Sequence, residues 1–250
     1  MSFDYDSKIS KAVQAVPPSA IRKFFDLANE MKGHVISLSI GEPDFVTPWT
    51  IREAAINSII DGYTHYSPNS GYIDSRIAIA DYLKRRYGVS YDAKSEIFIT
   101  VGGSEGLDLA ARALINPGDE VIIVEPCFVA YKATVEFAHG IPVIVETKPE
   151  NNYKLMPEEL EAAITDKTKY VIVGYPNNPT GAVMTLEDWA KIKDVLMRHP
   201  EVIVLSDELY CELNYLDGKP ASLTQFAELR DRVVMVNGFS KSYAMTGFRV

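Results

Sequence analysis

The chain has 250 residues, 47% of them apolar and 24% charged, an ordinary soluble make-up with length for one large or two small domains. Its net charge of −9 argues against a binder of nucleic-acid backbone, and two cysteines far apart, Cys127 and Cys211, argue against a disulfide scaffold or a metal site. The opening "MSFDYDSKIS" has no apolar core of a secretory signal and no apolar run approaches the roughly 20 residues of a membrane span, so a cytoplasmic protein is expected, with no membrane partner.

The first forty or so residues read as an amphipathic helix over about 19–31, a strand "VISLSI" over 35–40 and then "GEPDF", an arm or part of a smaller domain. From there the chain alternates. Helical patterns cover Asp74–Tyr87, Ser104–Ile115, Pro157–Ile164 and Leu186–Arg198, the last opened by Thr185 with Asp188 in a capping-box spacing. Between them run "IFITV" (Ile97–Val101), "VIIVE" (Val121–Glu125), "PVIVE" (Pro142–Glu146), "YVIVG" (Tyr170–Gly174), "VIVLS" (Val202–Ser206) and "VVMVN" (Val233–Asn237). Several of these runs are apolar without alternation, as strands covered on both faces are. The rhythm predicts an α/β fold with a mostly parallel sheet and helices on both sides.

Ligands of such sheets bind beyond the carboxyl ends of the strands. After "IFITV" comes "GGSEG", where the amides of Gly103, Ser104 and Glu105 would open a helix toward an anion. After "VIIVE" comes "PCFVAY", with Phe128 placed to cover a flat ring. After "YVIVG" comes "YPNNPTG", a stiff loop that would hold the Asn178 amide in one orientation. After "VIVLS" come Asp207, a carboxylate at a buried strand end that needs a cation or a donor, and Tyr210. After "VVMVN" comes "GFSKSYAMTGFR", where apolar surroundings favour a nucleophilic amine on Lys241 and Arg249 offers a fork for a phosphate. Singly, each has an ordinary explanation: a tight turn, a core aromatic, a solvated lysine. Together they make the complement of pyridoxal 5′-phosphate, an electron-sink cofactor that the protein orients and tunes.

In this order, "GEPDF", "YSPNSGYIDSR", "TVGGSEGLDLA", "YPNNPTG", "SDELY" and "SKSYAMTGFR" closely resemble the class I/II pyridoxal-phosphate aminotransferases of fold type I, from about Ile36 to the last residue. The resemblance implies residues 1–45 as an arm and part of a small domain, and 46–250 as the cofactor-binding large domain. It implies that Lys241 holds the cofactor as an internal aldimine and shuttles the proton. Asp207 pairs with the ring nitrogen, Tyr210 and Asn178 bond the ring hydroxyl oxygen, and Phe128 stacks. The 103–105 turn and Arg249 bind the phosphate. Tyr66 reaches the phosphate in the neighbouring subunit of a homodimer, and Gly41 and Asn178 line the substrate site. Many relatives carry a serine three residues before the lysine; here that residue is Gly238, with Ser240 beside the lysine as the candidate replacement. The resemblance also implies a longer enzyme, with the arginine for the substrate carboxylate beyond Val250. The implied reaction is ping-pong transamination between an amino acid and a 2-oxo acid. A C–S lyase or aminocyclopropane-carboxylate synthase on the same fold is the neighbouring alternative, and the effector domain of a transcription regulator the one from another class.

Overall fold

The computed structural model describes residues 4–17, 24, 26–28, 30–31, 36, 41–215 and 221–250. The helix expected over 19–31 and the strand expected over 35–40 fall largely outside them. The described chain runs α1 (Lys11–Ala15), α2 (Trp49–Ile60), α3 (Ile73–Tyr87), α4 (Gly103–Leu114), β1 (Glu120–Glu125), α5 (Ala130–Phe137), β2 (Ile141–Glu146), α6 (Pro157–Ala163), β3 (Thr168–Gly174), α7 (Leu186–Arg198), β4 (Ile203–Asp207) and β5 (Val233–Val236), with short 3-10 turns between. The five strands form one sheet, ordered β2-β1-β3-β4-β5, and every neighbouring pair is parallel.

Side chains alternate across the sheet, and both faces are covered. Val121 and Ile123 of β1, Tyr170 and Ile172 of β3 and Leu205 of β4 pack with Leu107 and Ala111 of α4 and Tyr131 and Val135 of α5. Ile122, Val124, Val171, Val173 and Val204 face the other way, onto Leu160 of α6 and Trp189, Ile192, Val195 and Leu196 of α7. Each fully buried Leu or Ile contributes roughly 1.5–3 kcal/mol. This two-sided burial explains the unbroken apolar runs. It also sets a parity: Gly174 and Asp207, at the strand ends, lie on the α4/α5 side, and Glu208 on the other.

Three helices escaped the pattern reading, the five-residue α1 among them. α2 buries none of its residues, so it carries no apolar stripe against this chain. α5 is only eight residues, and its sheet-facing pair, Tyr131 and Val135, is a single i, i+4 step. One expected strand is corrected: Ile97–Val101 pairs with no strand, residues 97–100 having no regular structure and Val101 lying in a bend. Its backbone bond to the rest of the fold runs from Ile99 N–H to Ser70 O at 3.1 Å. A cavity of about 960 Å³ is lined by residues 96–100 together with Val233, Val234 and Met235 of β5. A strand is defined by its ladder, and β-propensity alone supplies none. Among the described residues no helix is long and apolar enough to cross a membrane, and no group of three or more His, Cys, Asp or Glu is placed to hold a metal.

Candidate active site

The carboxyl ends of β1, β3, β4 and β5 converge with the start of α4. Asp207, the last residue of β4, is 7% exposed. Its Oδ2 accepts from Tyr131 Oη at 2.7 Å, and its Oδ1 from the Leu209 amide at 3.2 Å. Burial pushes its pKa up, and these two bonds work against that rise. Glu208 turns to the opposite face, fully buried, where Oε1 accepts from Ser206 Oγ at 2.9 Å and Ser222 Oγ at 2.5 Å. Burial pushes its pKa up to about 7.

Tyr210 follows on the turn after β4, and Asn178 Nδ2 donates to its hydroxyl at 3.5 Å. The stiffness of the Asn178 loop comes mainly from its neighbour. Asn177 Nδ2 donates to Pro126 O at 3.2 Å and Gly174 O at 3.3 Å, while its Oδ1 accepts from the Thr180 amide at 3.1 Å and hydroxyl at 2.8 Å. Phe128 is half-buried and meets Tyr131 edge-on, ring centroids 5.9 Å apart.

Lys241 is half-buried on the loop after β5, its Nζ 5.7 Å from the centroid of the Tyr210 ring. Nζ donates to Gly41 O at 2.5 Å. Burial pulls its pKa below the ordinary lysine value, with the nearby Glu42 carboxylate opposing and Arg249 adding to the fall. The "GEPDF" strip lies along this loop: Thr246 Oγ1 donates to Glu42, and just past the strip Thr47 Oγ1 donates to Ala244 O. Residues some 200 positions apart are thus laced together.

At the start of α4, Gly102 is the N-cap, with φ of 75°, and Gly103 and Ser104 open the helix. Their two amides have no carbonyl one turn back to meet. Of the three amides expected to point outward, that of Glu105 is directed at Gly102 O at 3.2 Å, and the Glu105 carboxylate folds back onto the Val101 amide. Arg249 brings its guanidinium to Gly102: Nη2 lies 2.6 Å from where a Cβ would stand.

Leu209 was not singled out by sequence, yet it wedges between two glycines. A Cβ on Gly103 would stand 2.7 Å from Leu209 Cδ1, and one on Gly238 would stand 2.9 Å from Cδ2. A serine at position 238 would therefore require the Leu209 side chain to shift. Ser240 is buried and turns its hydroxyl to Val250 O at 3.5 Å, along its own loop. Tyr66 stands fully exposed, with no hydrogen bond or ring contact to the others. The fold thus gathers Lys241, Gly41, Asp207, Tyr210, Asn178, Phe128, Arg249 and residues 103–105 at one sheet edge and leaves Tyr66 outside. Sequence reasoning missed Tyr131, Asn177 and Leu209; only Tyr131 had a signal, sitting three residues after Phe128.

Residues 33–250 match the family described as aminotransferase class I and II. A Bacillus subtilis (strain 168) protein, YugH, which carries a provisional aminotransferase name, is 49% identical over 98% of this chain and 62% of its own length. The aromatic-amino-acid aminotransferase 2 of Thermococcus litoralis is 42% identical over 97% of this chain and 62% of its own. Among solved structures, the aspartate aminotransferase from Rhizobium meliloti superposes with a TM-score of 0.92 at 36% identity, over 96% of this chain and 61% of that one. The chain spans about three fifths of the length of the curated relatives it matches.

Proposed function

Since this chain belongs to the class I and II aminotransferase family, whose cofactor is pyridoxal 5′-phosphate, we propose that the full-length protein moves an amino group from an amino acid to a 2-oxo acid in two half-reactions, with ping-pong kinetics and Lys241 as the covalent anchor of the cofactor. The observation that carries this is the half-buried Lys241 amine set on the same sheet edge as the buried Asp207 carboxylate and the Arg249–Gly102 contact.

The residues fit the cofactor. Two unmet amides and a guanidinium at a helix N-terminus suit a phosphate dianion. A buried carboxylate suits a protonated ring nitrogen, the Tyr210–Asn178 pair suits the ring oxygen, and the half-buried Phe128 suits the ring face. When bound, the cofactor supplies an electron sink for the substrate's α-carbon.

The remaining work falls to side chains. Desolvation of Lys241 favours the neutral amine, which can attack a carbonyl carbon and later take the proton from the substrate's Cα. Once that amine is free, Gly41 O is its hydrogen-bond acceptor. Asp207, ionised, balances the positive ring nitrogen. Tyr210 and Asn178 would hold the ring by its oxygen, with Lys241 Nζ 5.7 Å from the centroid of the Tyr210 ring. Tyr66, wholly exposed here, serves the second active site of a homodimer.

The test is to load the full-length protein with pyridoxal phosphate, reduce with borohydride and map the labelled peptide, then follow amino-group transfer to 2-oxoglutarate. A label on Lys241 and dependence on the 2-oxo acid are expected. A label elsewhere defeats the assignment of the anchor. Release of ammonia without an acceptor would instead indicate a lyase.

A further inference from the structure

Asp207 has one side-chain donor among the described residues, and that donor is a residue the reaction above does not use. Tyr131 Oη donates to Oδ2 at 2.7 Å from the first turn of α5. Its ring is 3% exposed and packs edge-on against Phe128. The same hydroxyl lies 2.5 Å from where Gly174 would carry a Cβ. Gly174 is the in-register neighbour of Asp207 across the β3–β4 ladder. Its backbone does not demand glycine, since its φ is outside the left-handed region. Only the tyrosine hydroxyl demands the missing side chain. Two strand ends and the first turn of α5 are therefore cut to fit one hydroxyl against one carboxylate.

We propose that Tyr131 is the positioning residue of Asp207, holding its carboxylate in one orientation for the cofactor's ring nitrogen, and that Gly174 is bare to admit it. This deepens the functional reading above and rests on it. The need is electrostatic. Asp207 must stay charged in a site that disfavours charge; donor bonds to the ionised form are the counterweight, and Tyr131 supplies the side-chain one beside the Leu209 amide. Other titratable groups nearby do not replace it. Cys127 is held neutral, its thiol pushed up to about 12 by burial. Tyr210 is pushed up by burial and by Asp207 itself, and Glu208 is an acid on the far side of the strand.

The experiment has two readouts. In the cofactor-free full-length protein, the Asp207 carboxyl is titrated by ¹³C NMR. Tyr131→Phe keeps the ring and removes the donor; Gly174→Ala keeps the donor and pushes it away. Both should raise the Asp207 midpoint by about one pH unit, and the double variant should go no further than Tyr131→Phe alone. In the loaded protein, both should weaken pyridoxal phosphate about tenfold and leave unchanged the affinity for an analogue with carbon in place of the ring nitrogen. An unmoved Asp207 midpoint, or equal losses for cofactor and analogue, overturns the proposal. Failure of the unaltered protein to take up cofactor at Lys241 would defeat the functional reading instead, and the carboxyl titration would still report on Tyr131.

Discussion

The guanidinium of Arg249 rests against the bare Cα of Gly102, Nη2 standing 2.6 Å from the missing Cβ. Both residues hold φ in the left-handed region, 61° and 75°. For arginine that costs on the order of 1 kcal/mol or more. Arg249 Nη1 also donates to Thr246 O at 2.9 Å, which fixes the fork. A cation at the positive end of a helix is electrostatically unfavourable until an anion joins it. Arg249→Gln should therefore weaken pyridoxal phosphate about ten- to a hundredfold and leave unphosphorylated pyridoxal unaffected. Gly102→Ala should act in the same direction by displacing the fork. Absorbance titrations with the two aldehydes check this, and equal losses for both would rule out a phosphate role.

Asn177 and Asn178 are neighbours with separable tasks. Asn177 spends its amide on four bonds that tie the loop to Pro126, Gly174 and Thr180. Its replacement by alanine should destabilise the fold by about 2–4 kcal/mol, counting roughly 1 for each bond. Asn178 is exposed, with one long bond to Tyr210. Its replacement should change stability by less than about 0.5 kcal/mol yet reduce cofactor affinity. Urea midpoints and cofactor titrations on the two variants separate the effects.

Glu208 makes stability depend on pH. Its carboxyl protonates at about 7 when folded and near 4.3 when unfolded. Between those values the folded chain holds the extra proton, so raising the pH favours unfolding. The contribution is present in full below about pH 4 and lost as pH climbs through 7, a swing on the order of 3 kcal/mol. The urea midpoint of the cofactor-free protein should fall between pH 5 and 8, and Glu208→Gln should flatten that fall. An unchanged slope in the variant would show that Glu208 is not the group responsible for that fall.

Much of this architecture could be read from residue order. Leu186–Arg198 begins and ends where its cap and stripe place it, because the Thr185–Asp188 box and the Trp189, Ile192, Val195, Leu196 face are local features. Five apolar runs became five strands because burial on both faces leaves an unbroken hydrophobic record. Ile97–Val101 has the same record and no ladder, since pairing depends on what lies alongside. The strand-end residues were also visible, because ligand chemistry gathers at carboxyl ends whatever the order of the strands.

Residue order alone thus determined a doubly covered parallel sheet and the identity of its polar termini. Tertiary structure decided what touches what: Tyr131 on Asp207, Leu209 between Gly103 and Gly238, Gly41 beneath Lys241. Helical and strand patterns follow from neighbours three, four or two positions away. These contacts join residues up to 200 positions apart, and their distances are set only when separate elements close on one another in space.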